Sequence, residues 1–469
     1  MNNKITALLQ SEHRPSFQKT LSAVMFLAWP AIVEQIMITA VQYIDTAMVG
    51  SLGADATAAV GLTSSTMWLF WGLLAAAAAG FSVQVAQHLG AKNGDAAKRV
   101  TAQSLKFTVL FGLFIAAVGF ALSFPLPYLL GAKGEVAAQA GVYFRIMAFG
   151  MPFTLGVNMA SSLLRCAGDT KIPMVLNTAM NVLNMIFNFL LIYPTRKIDL
   201  FGVSFTMWGA NWGVAGAAIA SVTATVIVCV IFMVLIFYKN SPIRLTRRDS
   251  FGFEASCLRA AVRLGVPIAL ERVTMTSAQI LITAVIAKIG TVAVATNHLA
   301  VTAESLSYAP AYGVAAAATT LVGQAIGANK KDLAMRFAKI TTFIGIGMMT
   351  FGGVILFVFA TPLICIFSSD PEVITLGTQV LRIVAFAEPL FGASIVAAGA
   401  LRGAGDSKAP FLLSLATMWG VRITLSFALA GSMGLNGVWL AMTIELVARG
   451  LVFLVRMYRG KWLNTNLFI

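Results

Sequence analysis

Two carboxylates occupy positions where ionised groups are costly. Glu34 and Asp45 lie eleven residues apart in a run, 21–49, that is otherwise mostly apolar. In a helix, eleven steps of 100° leave them about 20° apart in azimuth and roughly 16 Å apart along one face. An acid at the middle of a bilayer costs about 2.5–3.5 kcal/mol on insertion scales, so each is a candidate for chemistry by default. A polar stripe matches them: Asn177, Asn181, Asn184 and Asn188 follow i, i+4, i+7, i+11 in a segment otherwise rich in Leu, Met, Ile and Phe. Interhelical side-chain bonds in membranes contribute only about 0.6–2 kcal/mol each, and four amides on one face are more than packing asks. Amide oxygens beside a carboxylate suit a hard cation. Asp45 with Asn184 and Asn188 is therefore expected to hold Na⁺ or a proton, with Asn177 and Asn181 lining the cavity beside them.

The second half of the chain has acids of its own. Glu271 follows Pro267 by four residues, as Glu34 follows Pro30, and Glu388 immediately precedes Pro389. Two readings stay open for this pair: cation coupling alongside Glu34, or neutralisation of Arg422 in a buried ion pair that only holds helices together. Glu445 has Arg449 one turn later and reads as a local pair. Met37, Met180 and Phe187 are candidates for an adaptable apolar wall around a substrate. No phosphate-binding Gly-Lys-Ser/Thr loop, nucleophile elbow or metal-binding His pair occurs, so no enzymatic chemistry and no cofactor beyond a coupling ion is expected. The four cysteines follow no metal or disulfide spacing.

The elements that must position these residues are membrane helices. Hydrophobic residues make up 58% of the 469 and charged residues 11%, against about 25% charged in soluble domains. Twelve spans are read, approximately 21–49, 57–88, 100–125, 135–164, 172–193, 212–238, 261–289, 293–325, 337–367, 372–401, 409–430 and 434–458. The net charge of +15 does not point to nucleic acid, because 25 of the 33 Lys and Arg fall on the side of the termini and even-numbered connections. That is a positive-inside pattern with both termini cytoplasmic.

The chain also repeats itself. Leu164-Arg165-Cys166-Ala167-Gly168-Asp169-Thr170-Lys171 returns as Leu401-Arg402-Gly403-Ala404-Gly405-Asp406-Ser407-Lys408, an offset of 237 that also relates Glu34 to Glu271 and Gly90-Ala91 to Gly327-Ala328. Near the end the offset falls to 221, which places about 16 extra residues of the first copy in 193–212. Six helices per copy give two lobes of the same orientation, an all-α integral membrane protein built as a parallel internal repeat. The expected organisation is a cytoplasmic segment 1–20, an N-lobe 21–238, a basic linker 239–260, a C-lobe 261–458 and a cytoplasmic tail 459–469. The Arg-x-Ala-Gly-Asp turns read as helix stops and caps, with gating or structural roles for Arg165, Asp169, Arg402 and Asp406. Asp95 and Arg99, and Asp332 and Arg336, are spaced for i,i+4 pairs. The asparagine stripe has no copy: its repeat partners are Ser414, Met418, Val421 and Leu425.

Ile44-Asp45-Thr46-Ala47-Met48-Val49-Gly50 with Leu52-Gly53, the paired Gly-Ala turns and the duplicated Leu-Arg-x-Ala-Gly-Asp together resemble the multidrug and toxic compound extrusion family, over about 21–459. The resemblance implies a twelve-helix, two-lobed antiporter of the inner membrane that acts as a monomer and exports amphipathic, often cationic compounds in exchange for Na⁺ or H⁺. It implies that Asp45 corresponds to the family's first-helix aspartate, joined by the polar positions Asn184 and Asn188 on the fifth helix. Asn188 stands where one branch has a second aspartate. Phe391 stands where another branch has a tenth-helix aspartate, one turn after Glu388. Two rivals are a lipid-linked oligosaccharide flippase, which calls for a cationic cavity, and a non-transporting receptor or scaffold, against which the buried acids and the duplication both count.

Overall fold

The computed structural model describes residues 3–10, 15–200, 203–246 and 252–465. A short helix, α1 (Asn3–Gln10), precedes the long helices α2 (Phe17–Gly50), α3 (Ala54–Gly90) and α4 (Gly94–Leu122), a single turn α5 (Leu126–Leu129), then α6 (Gly134–Cys166), α7 (Lys171–Leu191) and α8 (Gly213–Tyr238). The second copy runs α9 (Ala255–Ile289), α10 (Thr291–Gly327), α11 (Lys331–Val358), α12 (Ala360–Cys365), α13 (Pro371–Ala385), α14 (Glu388–Gly403), α15 (Lys408–Thr417), a π-helical turn Met418–Ile423 and α16 (Thr424–Tyr458). Among the described residues nine helices are long and apolar enough to cross a membrane, or ten if the bent pair α13–α14 (57°) forms one span. Helix runs through each of the twelve expected segments. α15, the π turn and α16 run on as one stretch, interrupted only at Gly434 (φ 58, ψ −137). α10 mixes Thr, Ser, Tyr, Gly and Gln among its alanines, and a helix enclosed by other helices needs less apolar surface than one facing lipid.

The duplication is visible in the backbone. Left-handed or otherwise positive φ values recur in repeat-related pairs: Gly53 and Gly290, Lys92 and Asn329, Gly168 and Gly405, Gly213 and Gly434. Asp169 Oδ1 accepts from Ile172 N and Asp406 Oδ1 from Ala409 N, both at 3.2 Å, so each aspartate caps the helix that follows it. Their second oxygens tie each lobe's sixth helix to this turn, Asp169 through Lys239 and Asp406 through Arg456.

One departure from all-α architecture falls where the repeat breaks. The extra residues of the first copy form an antiparallel hairpin, β1 (Pro194–Leu200) and β2 (Val203–Ala210), pairing Arg196 with Met207 and Lys197 with Thr206. A segment too short for a helical crossing satisfies its backbone by pairing with itself. The hairpin marks one end of the bundle, called here the hairpin face; α2 begins at the opposite, N-terminal face.

The i,i+4 pairs expected at the starts of α4 and α11 give way to other links. Asn93 caps α4 by accepting from Ala96 N, Arg99 lies 3.6 Å from Glu254, and Arg336 donates to Pro15 O. A local pair contributes a few tenths of a kcal/mol at most, too little to hold a guanidinium that can tether a second segment. Of the linker 239–260, the basic residues Arg247 and Arg248 lie outside the described residues; 255–260 already belong to α9.

The core crosses the boundary between the lobes. Val24, Leu27, Ala28 and Ile32 of α2, with Leu8 and Leu9 of α1, pack into a cluster otherwise made by α10, α11, α14 and α16. Cys257 and Ala261 of α9 pack reciprocally into the cluster of α3, α4, α6 and α8. Each lobe's first helix thus seats its opening turns on the other lobe.

Candidate functional site

In α7 the buried residues are Pro173 and the four asparagines, while its Val, Ile and Phe side chains face outward or lie half-buried. In a membrane this inversion is the stable arrangement: apolar side chains meet lipid and amides meet neighbouring helices. α2 lies beside α7 so that Glu34 meets Asn177 and Asp45 meets Asn188, both pairs 143 residues apart. Eleven residues, three turns, separate the contacts on each helix, so the two helices run parallel and stay in register.

The contact nearer the hairpin face is the polar cluster expected to hold a cation. Asn188 Nδ2 donates to Asp45 Oδ1 at 2.7 Å. The Asn184 amide is best turned so that its nitrogen donates to both Asp45 oxygens, at 2.9 and 3.1 Å, and its oxygen accepts from Ser221 Oγ at 2.8 Å. Ser221, on α8, is the member that the sequence reading missed; a lone serine in an apolar helix carries no periodic signal. Asn188 Oδ1 is buried without a partner, a free acceptor beside a carboxylate. Among the described residues no three His, Cys, Asp or Glu side chains gather, so any cation here would be held mainly by amide and hydroxyl oxygens.

Nearer the N-terminal face the same two helices hold an ion pair. Glu34 Oε1 accepts from Arg165 at 2.7 Å and from Asn177 Nδ2 at 2.6 Å, and Asn177 also donates to Ser161 Oγ at 3.2 Å. The C-lobe repeats the two contacts to the glutamate: Glu271 Oε2 meets Arg402 at 2.7 Å and its Oε1 accepts from Ser414 Oγ at 3.0 Å. Residues read in the sequence as separate coupling acids and gating arginines are therefore partners. Glu271 pairs with Arg402 rather than with Arg422.

Glu388 is fully buried and accepts from Ser307 Oγ at 2.5 Å through Oε2, with Oε1 unpartnered. Glu304, also buried, lies one turn earlier on α10. Around them Tyr308 stacks edge-on to Phe391 (5.8 Å), Arg449 lies 5.5 Å from the Phe391 ring, and Tyr43 of α2 donates to Thr302 O at 2.5 Å. Arg449 pairs with Glu445 at 2.9 Å, as their spacing suggests. Met37, Met180 and Phe187 are half-buried; Met180 packs against the N-lobe core.

The fold is a two-copy helical bundle whose buried polar groups lie on helices long enough to cross a bilayer, the architecture of a membrane transporter. The family model MatE matches residues 30–190 and again 267–428, at the internal offset of 237, and the chain belongs to that family. It is similar to "Probable multidrug resistance protein NorM" of Thermotoga maritima, 27% identical over 457 residues covering 97% of this chain and 95% of that one. It is also similar to "Uncharacterized transporter YisQ" of Bacillus subtilis, 26% identical over 446 residues, 94% and 95% of the two chains. Among solved structures, an outward-facing multidrug resistance MATE family transporter of the MOP superfamily superposes with TM-score 0.88 at 22% identity, over 99% of this chain and 100% of that one. The fold is that of these multi-pass transporters, and the relatives point to the export of drugs.

Proposed function

We propose that this chain is a secondary antiporter of the cytoplasmic membrane that exports small, mainly cationic amphipathic compounds in exchange for Na⁺ or H⁺. The cluster of Asp45, Asn184, Asn188 and Ser221 carries the reading: one carboxylate, two amides and a hydroxyl from three helices, with a buried oxygen left unpartnered. A proton or Na⁺ at Asp45 would neutralise the one charge in the cluster. It would also let the Asn184 amide turn its oxygen inward, because the carboxylate would no longer demand both amide donors. The N-terminal face is the cytoplasmic one by the distribution of Lys and Arg, so the cation site lies toward the outside, where a cation moving down its gradient would enter. A membrane potential supplies about 2.3 kcal/mol per charge per 100 mV, enough for one cation to drive uphill export. The chain acts as a monomer in this reading.

The test is accumulation of a fluorescent organic cation in cells lacking their own efflux pumps. Wild type keeps the dye out and Asp45→Asn does not; if Asp45→Asn exports as well as wild type, the coupling assignment falls. Replacing Na⁺ with choline, and separately collapsing the proton gradient, identifies the ion.

A further inference from the structure

The lobes meet at the N-terminal face through one contact made twice. Gln87 of α3 donates from Nε2 to Gly403 O at the end of α14 (3.1 Å), and Gln324 of α10 donates from Nε2 to Cys166 O at the end of α6 (2.8 Å). Gln87 and Gln324 are repeat partners, and so are Cys166 and Gly403, all at the offset of 237. Both glutamines are buried, 1% and 0% exposed. Between them α3 and α10 cross at Gly90 and Gly327, where an added Cβ would lie 2.0 Å from Gln324 O and 1.9 Å from Gln87 O. Only glycine permits that approach.

The carbonyls they reach are the ones left over. At the end of α6 the turn itself uses Leu163 O, Leu164 O and Arg165 O, which accept from Ala167, Asp169 and Gly168; at the end of α14 it uses Ala400 O, Leu401 O and Arg402 O in the same way. A helix end leaves four carbonyls without intrahelical partners. In each lobe the fourth, Cys166 O or Gly403 O, takes its donor from the opposite lobe. The duplicated Arg-x-Ala-Gly-Asp signature thus does more than stop a helix: it presents one spare acceptor to the other half of the molecule.

We propose that Gln87 and Gln324, with the carbonyls of Gly403 and Cys166, are the latch of the cytoplasmic gate, closed here and broken when the cavity opens to the cytoplasm. The inference rests on the antiport reading above, with the cavity opening alternately to the two sides of the membrane. A polar latch suits such a cycle, because when the lobes part water takes over both amide and carbonyl, so the open state carries no unsatisfied group. An apolar seal would instead expose its whole surface. The two bonds are related by the pseudo-symmetry of the lobes, so a rigid rocking motion breaks both together.

Cys166 supplies the reporter. Its thiol is buried at the latch, 3% exposed. In a chain with Cys229, Cys257 and Cys365 replaced by Ala, labelling of Cys166 by a membrane-impermeant maleimide is followed in inside-out vesicles. Gln87→Met and Gln324→Met, which keep side-chain volume, are each expected to speed labelling about fivefold, and more in combination. If the methionine pair fails to insert, Gln87→Glu and Gln324→Glu keep the shape, remove the donor and are read in the same way. A companion chain retaining only Cys229, buried in α8 away from the latch, must label at an unaltered rate. Unchanged labelling of Cys166 in the variants, or acceleration of Cys229 alongside it, overturns the latch. Wild-type Cys166 labelling with and without an imposed Na⁺ or proton gradient reads alternating access separately; a rate that no gradient alters removes that reading instead.

Discussion

The two lobes share a skeleton and differ in the helix that faces it. In both, a glutamate four residues after a proline pairs with the arginine of the Arg-x-Ala-Gly-Asp turn and accepts from the fifth helix, Asn177 in one and Ser414 in the other. Beyond that contact the lobes part. α7 continues as regular helix and presents Asn181, Asn184 and Asn188 inward, whereas its counterpart relaxes into the π turn Met418–Ile423, which carries Arg422. A π turn takes an extra residue and so rotates everything after it relative to the first copy. Positions that match by offset then stop matching by face. The polar chemistry of the C-lobe is accordingly gathered from α10 and α14, as Glu304, Ser307 and Glu388. The shared part ties helices together, and the part that differs is where the proposed ion chemistry would reside.

Four experiments bear on that division. The largest effect is expected for Asp45→Asn, a loss of gradient-driven export of about 100-fold or more in the dye assay, as for an intramembrane acid that carries the coupled charge. If the C-lobe acids alone drive transport, this variant stays active and the division is reversed.

The scaffold half of the comparison predicts equal effects in both lobes. Arg165→Met and Arg402→Met each leave a buried glutamate without its cation, at a cost of about 3 kcal/mol, the low end for such pairs because the arginine side chains keep 17% and 22% exposure. Thermal unfolding in detergent should fall by similar amounts for the two; a large fall for one alone would show that the clamps are not equivalent.

Asn188→Leu, which removes the amide bound to Asp45, should cut export about tenfold, a loss of about 1.4 kcal/mol, while Leu425→Ala, at the C-lobe position that matches only by offset, leaves it unaltered. Equal losses would mean that the fifth helix matters for packing only. The smallest change is expected for Ser221→Ala: about a fivefold rise in the half-saturating Na⁺ or proton concentration for transport, the size of one hydrogen bond. No rise would remove Ser221 from the site and leave it a two-helix cluster.

Much of the site was legible because membranes punish polar groups. Glu34, Asp45 and the asparagine stripe were visible as costly residues with a shared period, and the equal spacing of eleven on both helices let the contacts between them form in register. Ser221 was not legible, since a hydroxyl can satisfy itself on its own helix and costs little. The partnership of Glu34 with Arg165 was missed for another reason: 131 residues separate them, and no periodicity links residues on different helices.

The sequence by itself determined the apolar helices, the duplication, the repeated turns and the place where the first copy carries extra residues, because hydropathy, glycine positions and offset are local or additive properties. Only the tertiary structure decided that those extra residues pair as a hairpin, that a π turn replaces the asparagine face, and that each lobe's spare carbonyl receives a glutamine from the other. These are outcomes of helix against helix, where a fraction of a turn selects which groups meet.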